Sequence, residues 1–251
     1  MTKYIYEPKG RAKEYCELAL NLYRGCSHGC TYCYAPKMLH MSPKIFHEEP
    51  EPRLAVLANL EREAAAFKGR EVFLCFSTDP YQPIDDEHQL TRQAIKVLHA
   101  AGCKVRILTK GGHRSERDFD LLAARPELSF YGATLTFTEH LNPNHKGVYS
   151  PEADDFEPYA ACPGERFEAL YRAHNLGIPT WASLEPVIDP EQTLSIIQGT
   201  HKYVDMYKIG RWNYDKRANE IDWKKFAREA DTLLKGLGKQ YYIKKDLEVY
   251  L

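Results

Sequence analysis

Along most of the chain, short runs rich in β-branched and aromatic residues alternate with stretches of helical period. The strand-like runs are LALNLYRG (18–25), EVFLCFS (71–77), KVRILTK (104–110), LSFYGATLTF (128–137), IPTWASLEP (178–186) and YVDMYKIG (203–210). Between them lie helical patterns at 53–67, 88–102, 115–125, 164–177 and 190–199. The first of these places Leu54, Leu57, Leu60 and Ala64 on one face. Two others stop at Gly102 and Gly177, as a helix C-cap does. Strands joined by helical crossovers run parallel in one sheet. The expectation is an α/β fold, a partial (β/α)6-type barrel that falls short of the eight units of a closed one. It forms a single domain, 1–251, with a core at about 19–210. A last helix at 222–236, closed at Gly236, and a β-like tail at 239–245 follow within 211–251. In such folds chemistry gathers at the C-terminal ends of the strands.

Hydrophobic residues make up 43% and charged residues 27% of the 251, enough to build a sizeable core. The formal charge of −1 argues against a protein that lives on non-specific nucleic-acid binding, so any such contact needs a local basic patch. The first residues, MTKYIYEPKG, lack the apolar core of a secretory leader, and no run is long enough to cross a bilayer. The expectation is a cytoplasmic protein with no membrane partner. There, an odd count of seven cysteines reads as ligands or catalytic thiols before disulfides. One stretch, 138–164, is rich in Pro, Asn and acidic residues and breaks the rhythm, as a functional loop, a lid or a surface excursion would.

The densest chemistry is Cys26-Ser-His-Gly-Cys30-Thr-Tyr-Cys33, with Gly25 and Gly29 inside the same tight loop after a strand-like run. Cysteine thiolates are the usual iron–sulfur ligands, and a complete cubane takes four. Here three are local, while Cys16, Cys75, Cys103 and Cys162 are scattered without ligand spacing. Three ligands leave one iron open, and an open metal position is where a cosubstrate binds. Structural zinc is the competitor. It wants four ligands, commonly in paired C-x-x-C units, and only Cys30 and Cys33 form one. His28 as a fourth ligand would strain so short a loop. A non-catalytic iron–sulfur or zinc-binding module therefore stands as the alternative from another class.

The C-x-x-x-C-x-x-C triad with an aromatic before its last cysteine resembles the radical S-adenosylmethionine (SAM) superfamily. The strings NLYRGCSHGCTYCYAP, FSTDPYQPIDDEHQLTR and ILTKGG narrow the resemblance to the spore photoproduct lyase branch, over roughly 20–210. The resemblance implies a 4Fe–4S cluster on Cys26, Cys30 and Cys33, with S-adenosyl-L-methionine chelating the open iron. It implies reductive cleavage to a 5′-deoxyadenosyl radical, hydrogen-atom abstraction from a substrate, and an electron donor such as flavodoxin or ferredoxin. Tyr32 matches the aromatic whose backbone touches adenine, and Tyr34 a second tyrosine that passes a radical together with it. Ser77 and Thr78 match binders of the cosubstrate's amino and carboxylate groups, and Lys110 a lysine paired with that carboxylate. Of Thr134 and Thr136, one faces the cosubstrate. Cys75, two residues before Ser77 and so on the same face of a strand, matches the cysteine that returns a hydrogen atom to the product radical. Weaker candidates for the substrate are Asp79, Gln82, Lys208, Arg211 and Asn213, with Gly210 allowing close approach and Glu185 and Asp189 at a strand exit.

Charge is unevenly spread. Residues 202–251 hold 12 Lys or Arg against 8 Asp or Glu, whereas 139–191 hold 3 against 10. The basic end could track phosphates, with Trp212, Tyr214, Trp223, Tyr241 and Tyr242 for stacking. The acidic stretch would limit access to a single extruded base. The sequence thus points to a radical enzyme acting on a pyrimidine lesion or modified base in DNA, in repair or base remodelling. The alternative is the same chemistry on a small molecule or another polymer.

Overall fold

The computed structural model describes residues 3–138 and 151–251. The strands are β1 (Ile5–Tyr6), β2 (Leu18–Leu20), β3 (Tyr23–Arg24), β4 (Glu51–Pro52), β5 (Glu71–Leu74), β6 (Lys104–Ile107), β7 (Ser129–Thr134), β8 (Thr180–Val187), β9 (Met206–Arg211) and β10 (Gln240–Ile243). Eight of them form one sheet in the order β1-β2-β5-β6-β7-β8-β9-β10, and β3 pairs only with β4. From β2 to β10 every neighbouring pair is parallel, and β1 alone runs antiparallel, against β2. The edges β1 and β10 do not meet, so the barrel is open. Its six expected strands are extended at one edge by β1 and at the other by the C-terminal tail.

Continuous apolar runs build this sheet because both of its faces are covered. All of β2 is buried, as are Val72, Phe73 and Leu74 of β5 and Val105, Arg106 and Ile107 of β6. The helix Leu90–Ala100 turns Leu90, Ala94, Ile95 and Leu98 inward at helical spacing. The helix Ala55–Ala64 buries Val56, Leu60 and Ala64, while Leu54, expected on that face, is 60% exposed. Leu54 precedes the helix, so the buried stripe starts one turn position later. Gly102 and Gly177 do end helices at positive φ, but the last helix runs through Gly236 and turns at Gly238.

Two features shape the barrel wall. A Cβ on Gly132 would collide with the Trp181 indole, whose Nε1–H donates to the Ile107 carbonyl at 2.9 Å, from β8 across β7 to β6. The pairing of β8 with β9 slips between Leu184 and Val187, a bulge that re-aims the side chains between them.

Candidate active site

One cavity of about 420 Å³ opens at the C-terminal ends of the strands. Its wall carries Cys26, Cys30 and Cys33, with Tyr32 and Tyr34 from the same loop. Backbone holds that loop: Cys26 N–H donates to Phe46 O at 2.9 Å, and Cys33 N–H to Cys30 O at 3.0 Å. Gly25 and Gly29 sit at positive φ, where a Cβ would meet Phe46 O at 2.7 Å and the Tyr159 ring at 2.8 Å. Both positions therefore require glycine. The described part of the acidic stretch packs onto this loop: Thr31 N–H donates to Phe156 O at 2.9 Å, and Tyr159 N–H to His28 O at 3.2 Å.

Behind the loop lies an ionic cluster that no spacing in the sequence announces. Glu157 is 3% exposed and meets the Arg166 guanidinium at 2.5 Å. It accepts from the Tyr32 hydroxyl and, at 2.8 Å, from Thr136 Oγ1. Lys110 Nζ stands 4.0 Å away. Burial pushes the Glu157 carboxyl up, but Arg166 and Lys110 outweigh it and hold the group below its ordinary value. Burial likewise works against the charge of Lys110, and Cys30 and Glu157 more than restore it. Thr136 is thus spent on Glu157, whereas Thr134 lines the cavity.

Ser77, Thr78, Lys110 and Cys75 also line the cavity. Cys75 and Ser77 do not share a strand face, because β5 stops at Leu74 and Cys75 is left-handed, φ 59°. That turn, uncommon for a residue with a side chain, is what brings both to the wall. Burial pushes the Cys75 thiol up to about 12, so it keeps its proton. Asp79 lines the cavity too, but accepts from Tyr81 N–H at 2.8 Å, Thr109 Oγ1–H at 2.6 Å and Lys110 N–H at 2.7 Å, which orders its own loop.

Two substrate candidates lie off the wall. Gln82 is fully buried, accepts from Ser27 N–H and donates to Gly25 O, both at 3.1 Å, and so braces the cysteine loop from behind. Lys208 donates to Glu14 O at 3.1 Å and Tyr15 O at 2.8 Å beneath the cavity. Arg211 and Asn213 do line it; Arg211 stacks 4.8 Å from the Trp223 ring, and Asn213 bonds Asp246 at 3.0 Å. Asp189 is an N-cap, accepting from Glu191 N–H and Gln192 N–H. Of the aromatic residues expected for stacking, Trp212 and Trp223 are each 4% exposed and belong to the core, Tyr241 and Tyr242 bond Asp231 and Glu14, and Tyr214 is 80% exposed at the cavity mouth.

A model of the radical SAM superfamily matches residues 20–204. The chain belongs to this superfamily. An uncharacterized protein of Mycobacterium tuberculosis is 36% identical over 110 residues, 41% of this chain and 32% of that protein, so the chain spans about a third of that relative's length. An uncharacterized protein of Methanocaldococcus jannaschii is 26% identical over 195 residues, 75% of this chain and 67% of the other. The fold is similar to spore photoproduct lyase complexed with dinucleoside spore photoproduct: TM-score 0.70 at 14% identity, over 95% of this chain and 79% of that one. It is also similar to Streptococcus suis SuiB bound to S-adenosylmethionine, with TM-score 0.63 at 10% identity, over 90% of this chain and 49% of that one.

Radical SAM enzymes use a 4Fe–4S cluster and S-adenosylmethionine. The residues present fit that pair. Three thiols open onto one cavity from a loop that only glycines allow, and His28 Nε2 on the same wall is buried with no hydrogen-bond partner. Among the described residues no three His, Cys, Asp or Glu side chains converge as ligands of a single ion would. In an iron–sulfur cluster each thiolate takes a different iron. Burial raises the thiols of Cys26, Cys30 and Cys33, that of Cys30 up to about 12, and keeps His28 neutral by holding it down to about 4. Among the described residues no helix is long and apolar enough to cross a membrane.

Proposed function

We propose that Cys26, Cys30 and Cys33 hold the 4Fe–4S cluster of a radical SAM enzyme whose substrate is a damaged or modified pyrimidine presented from DNA. The observation that carries this is the shared wall of one cavity, where the three thiols, the hydroxyls of Ser77 and Thr78, the Lys110 ammonium and the Cys75 thiol stand together. With its cosubstrate bound, the cluster supplies one electron for cleavage of the sulfonium and so a carbon radical able to take a hydrogen atom from the substrate.

The chain's own groups do the rest. Lys110, whose charge the buried Glu157 carboxylate supports, gives the cosubstrate carboxylate a cationic partner. Ser77 N–H donates to Asn21 Oδ1 at 3.1 Å, which fixes the backbone that carries its hydroxyl. Tyr32 is tied to Glu157 and walls the cluster, while Tyr34, 44% exposed, faces the open cavity and is the better placed of the two to exchange a hydrogen atom. Cys75 keeps its S–H bond at any physiological pH, and a thiol, not a thiolate, is what can give a hydrogen atom to a carbon radical. At the mouth, exposed Lys9 and Arg11 suit a phosphate backbone, and Tyr214 offers a ring to a base. An electron donor such as flavodoxin or ferredoxin completes the cycle.

The test is anaerobic. Protein reconstituted with iron and sulfide is given dithionite and S-adenosylmethionine, and 5′-deoxyadenosine is measured with and without oligonucleotides carrying thymine lesions. Wild type makes it and Cys30→Ala does not. Cleavage stimulated by DNA, with binding that weakens steeply as salt rises, supports the substrate class. Cleavage indifferent to DNA moves the substrate to a small molecule. Unchanged products from Cys75→Ala would remove its hydrogen-donor role.

A further inference from the structure

Away from the cysteine loop, the cavity wall carries a carboxylate that three separate elements keep in place. Glu185, on β8 at the bulge, lines the cavity with Ser183. Lys244, after β10 and 5% exposed, donates to both of its oxygens at 2.8 and 2.9 Å. The Tyr15 hydroxyl, ahead of β2, reaches the same carboxylate and lies 2.9 Å from Ser183 Oγ. Gly210 on β9 leaves it room, since a Cβ there would meet Glu185 Cδ at 2.7 Å. Tyr15 and Lys244 both lie outside residues 20–204, the span that the superfamily model matches.

A carboxylate beside aromatic rings is costly to desolvate. The lysine and the phenol offset its charge yet leave it facing the cavity, with acceptor sites to spare. An ammonium ligand would be repelled by Lys244 and an anion by Glu185. What fits is a neutral donor. Beside it, Phe73 and Phe76 pack edge-on around Tyr15, with ring centroids 6.0 and 5.9 Å from it, and both line the cavity. Those rings favour a flat ligand.

We propose that Glu185 is the specificity residue of the cavity and accepts a hydrogen bond from a lactam or imide N–H of a planar heterocyclic substrate, with Tyr15 and Lys244 as positioning residues. This deepens the function proposed above and rests on that cavity being the substrate site. It is separable from the radical chemistry, because the test reads equilibrium binding.

Reconstituted enzyme, saturated with S-adenosylmethionine, is titrated with two pairs of probes: thymidine against N3-methylthymidine, and inosine against 1-methylinosine. In at least one pair, methylating the ring nitrogen should weaken binding to the wild type about tenfold or more, the value of a hydrogen bond to a charged group. Glu185→Gln should lose most of that discrimination while keeping its iron content and its affinity for S-adenosylmethionine. The wild-type comparison stands even if the variant does not fold. The proposal is overturned if the wild type distinguishes neither pair, or if Glu185→Gln distinguishes them as the wild type does. A loss of S-adenosylmethionine affinity in Glu185→Gln would also overturn it, by placing the cosubstrate's own ring there. If nitrogen methylation matters but no 5′-deoxyadenosine forms, the proposed function fails and this inference survives.

Discussion

The cysteine loop owes its place in the cavity wall to its backbone. Gly25 and Gly29 let the chain pass where no side chain fits, and the buried Glu157–Arg166 pair holds the loop from behind. Around Glu185 the wall is held by side chains. Tyr15, Glu185 and Lys244 come from three distant parts of the chain and meet only because the N-terminal segment and the C-terminal tail close onto β8. The first wall lies almost wholly within residues 20–204, while two of the three residues of the second lie outside them. If Glu185 selects the substrate as proposed, selectivity rests on contacts beyond the span that the superfamily model matches.

Separate damage to the two walls tests this contrast. Arg166→Met should be the most destabilising change, by about 3–5 kcal/mol, because it leaves Glu157 buried without its main partner. Urea unfolding measures it. The same pair gives a pH signature. The Glu157 carboxyl titrates lower in the folded chain than in the unfolded one, so its contribution is complete above the unfolded value of about 4.3 and is lost as pH falls through the folded value. Unfolding followed from pH 6 down to pH 3 should show this loss in the wild type and a smaller one in Arg166→Met. Lys244→Met attacks the other wall. It should cost about 1–3 kcal/mol through the unpaired Glu185 carboxylate, with iron incorporation unchanged. A drop in iron content would mean that the two walls are not independent. Gly29→Ala should cost about 1–2 kcal/mol from its left-handed backbone and should lower iron incorporation in step, since Tyr159 must shift. Tyr214→Ala should change stability by no more than about 0.5 kcal/mol, as expected for an exposed side chain, and should weaken only the binding of DNA.

What the sequence revealed was local. The six parallel strands are short runs rich in apolar, β-branched and aromatic residues, and the cysteine triad fits within eight residues, so a short window holds the information. The two-residue strand β1 carries no such pattern, because it is an antiparallel edge set by its pairing with β2. Period two failed at Cys75 because a left-handed residue ends the strand there. Trp212 and Trp223 resemble stacking platforms in sequence, and burial alone reveals them as core. Glu157 with Arg166, and Glu185 with Tyr15 and Lys244, are pairings across long stretches of chain that no spacing rule anticipates. The one sign at hand was the acidic stretch itself, whose buried Glu157 contradicts the simple picture of a solvated loop.

The absence of a side chain at Gly132 decides where the largest buried ring of the sheet can lie. The Trp181 indole lies across β7 only because nothing projects there, and in doing so it ties β8 to β6 over the strand between them. A single methyl group at position 132 would evict the indole and strip the Ile107 carbonyl of its donor.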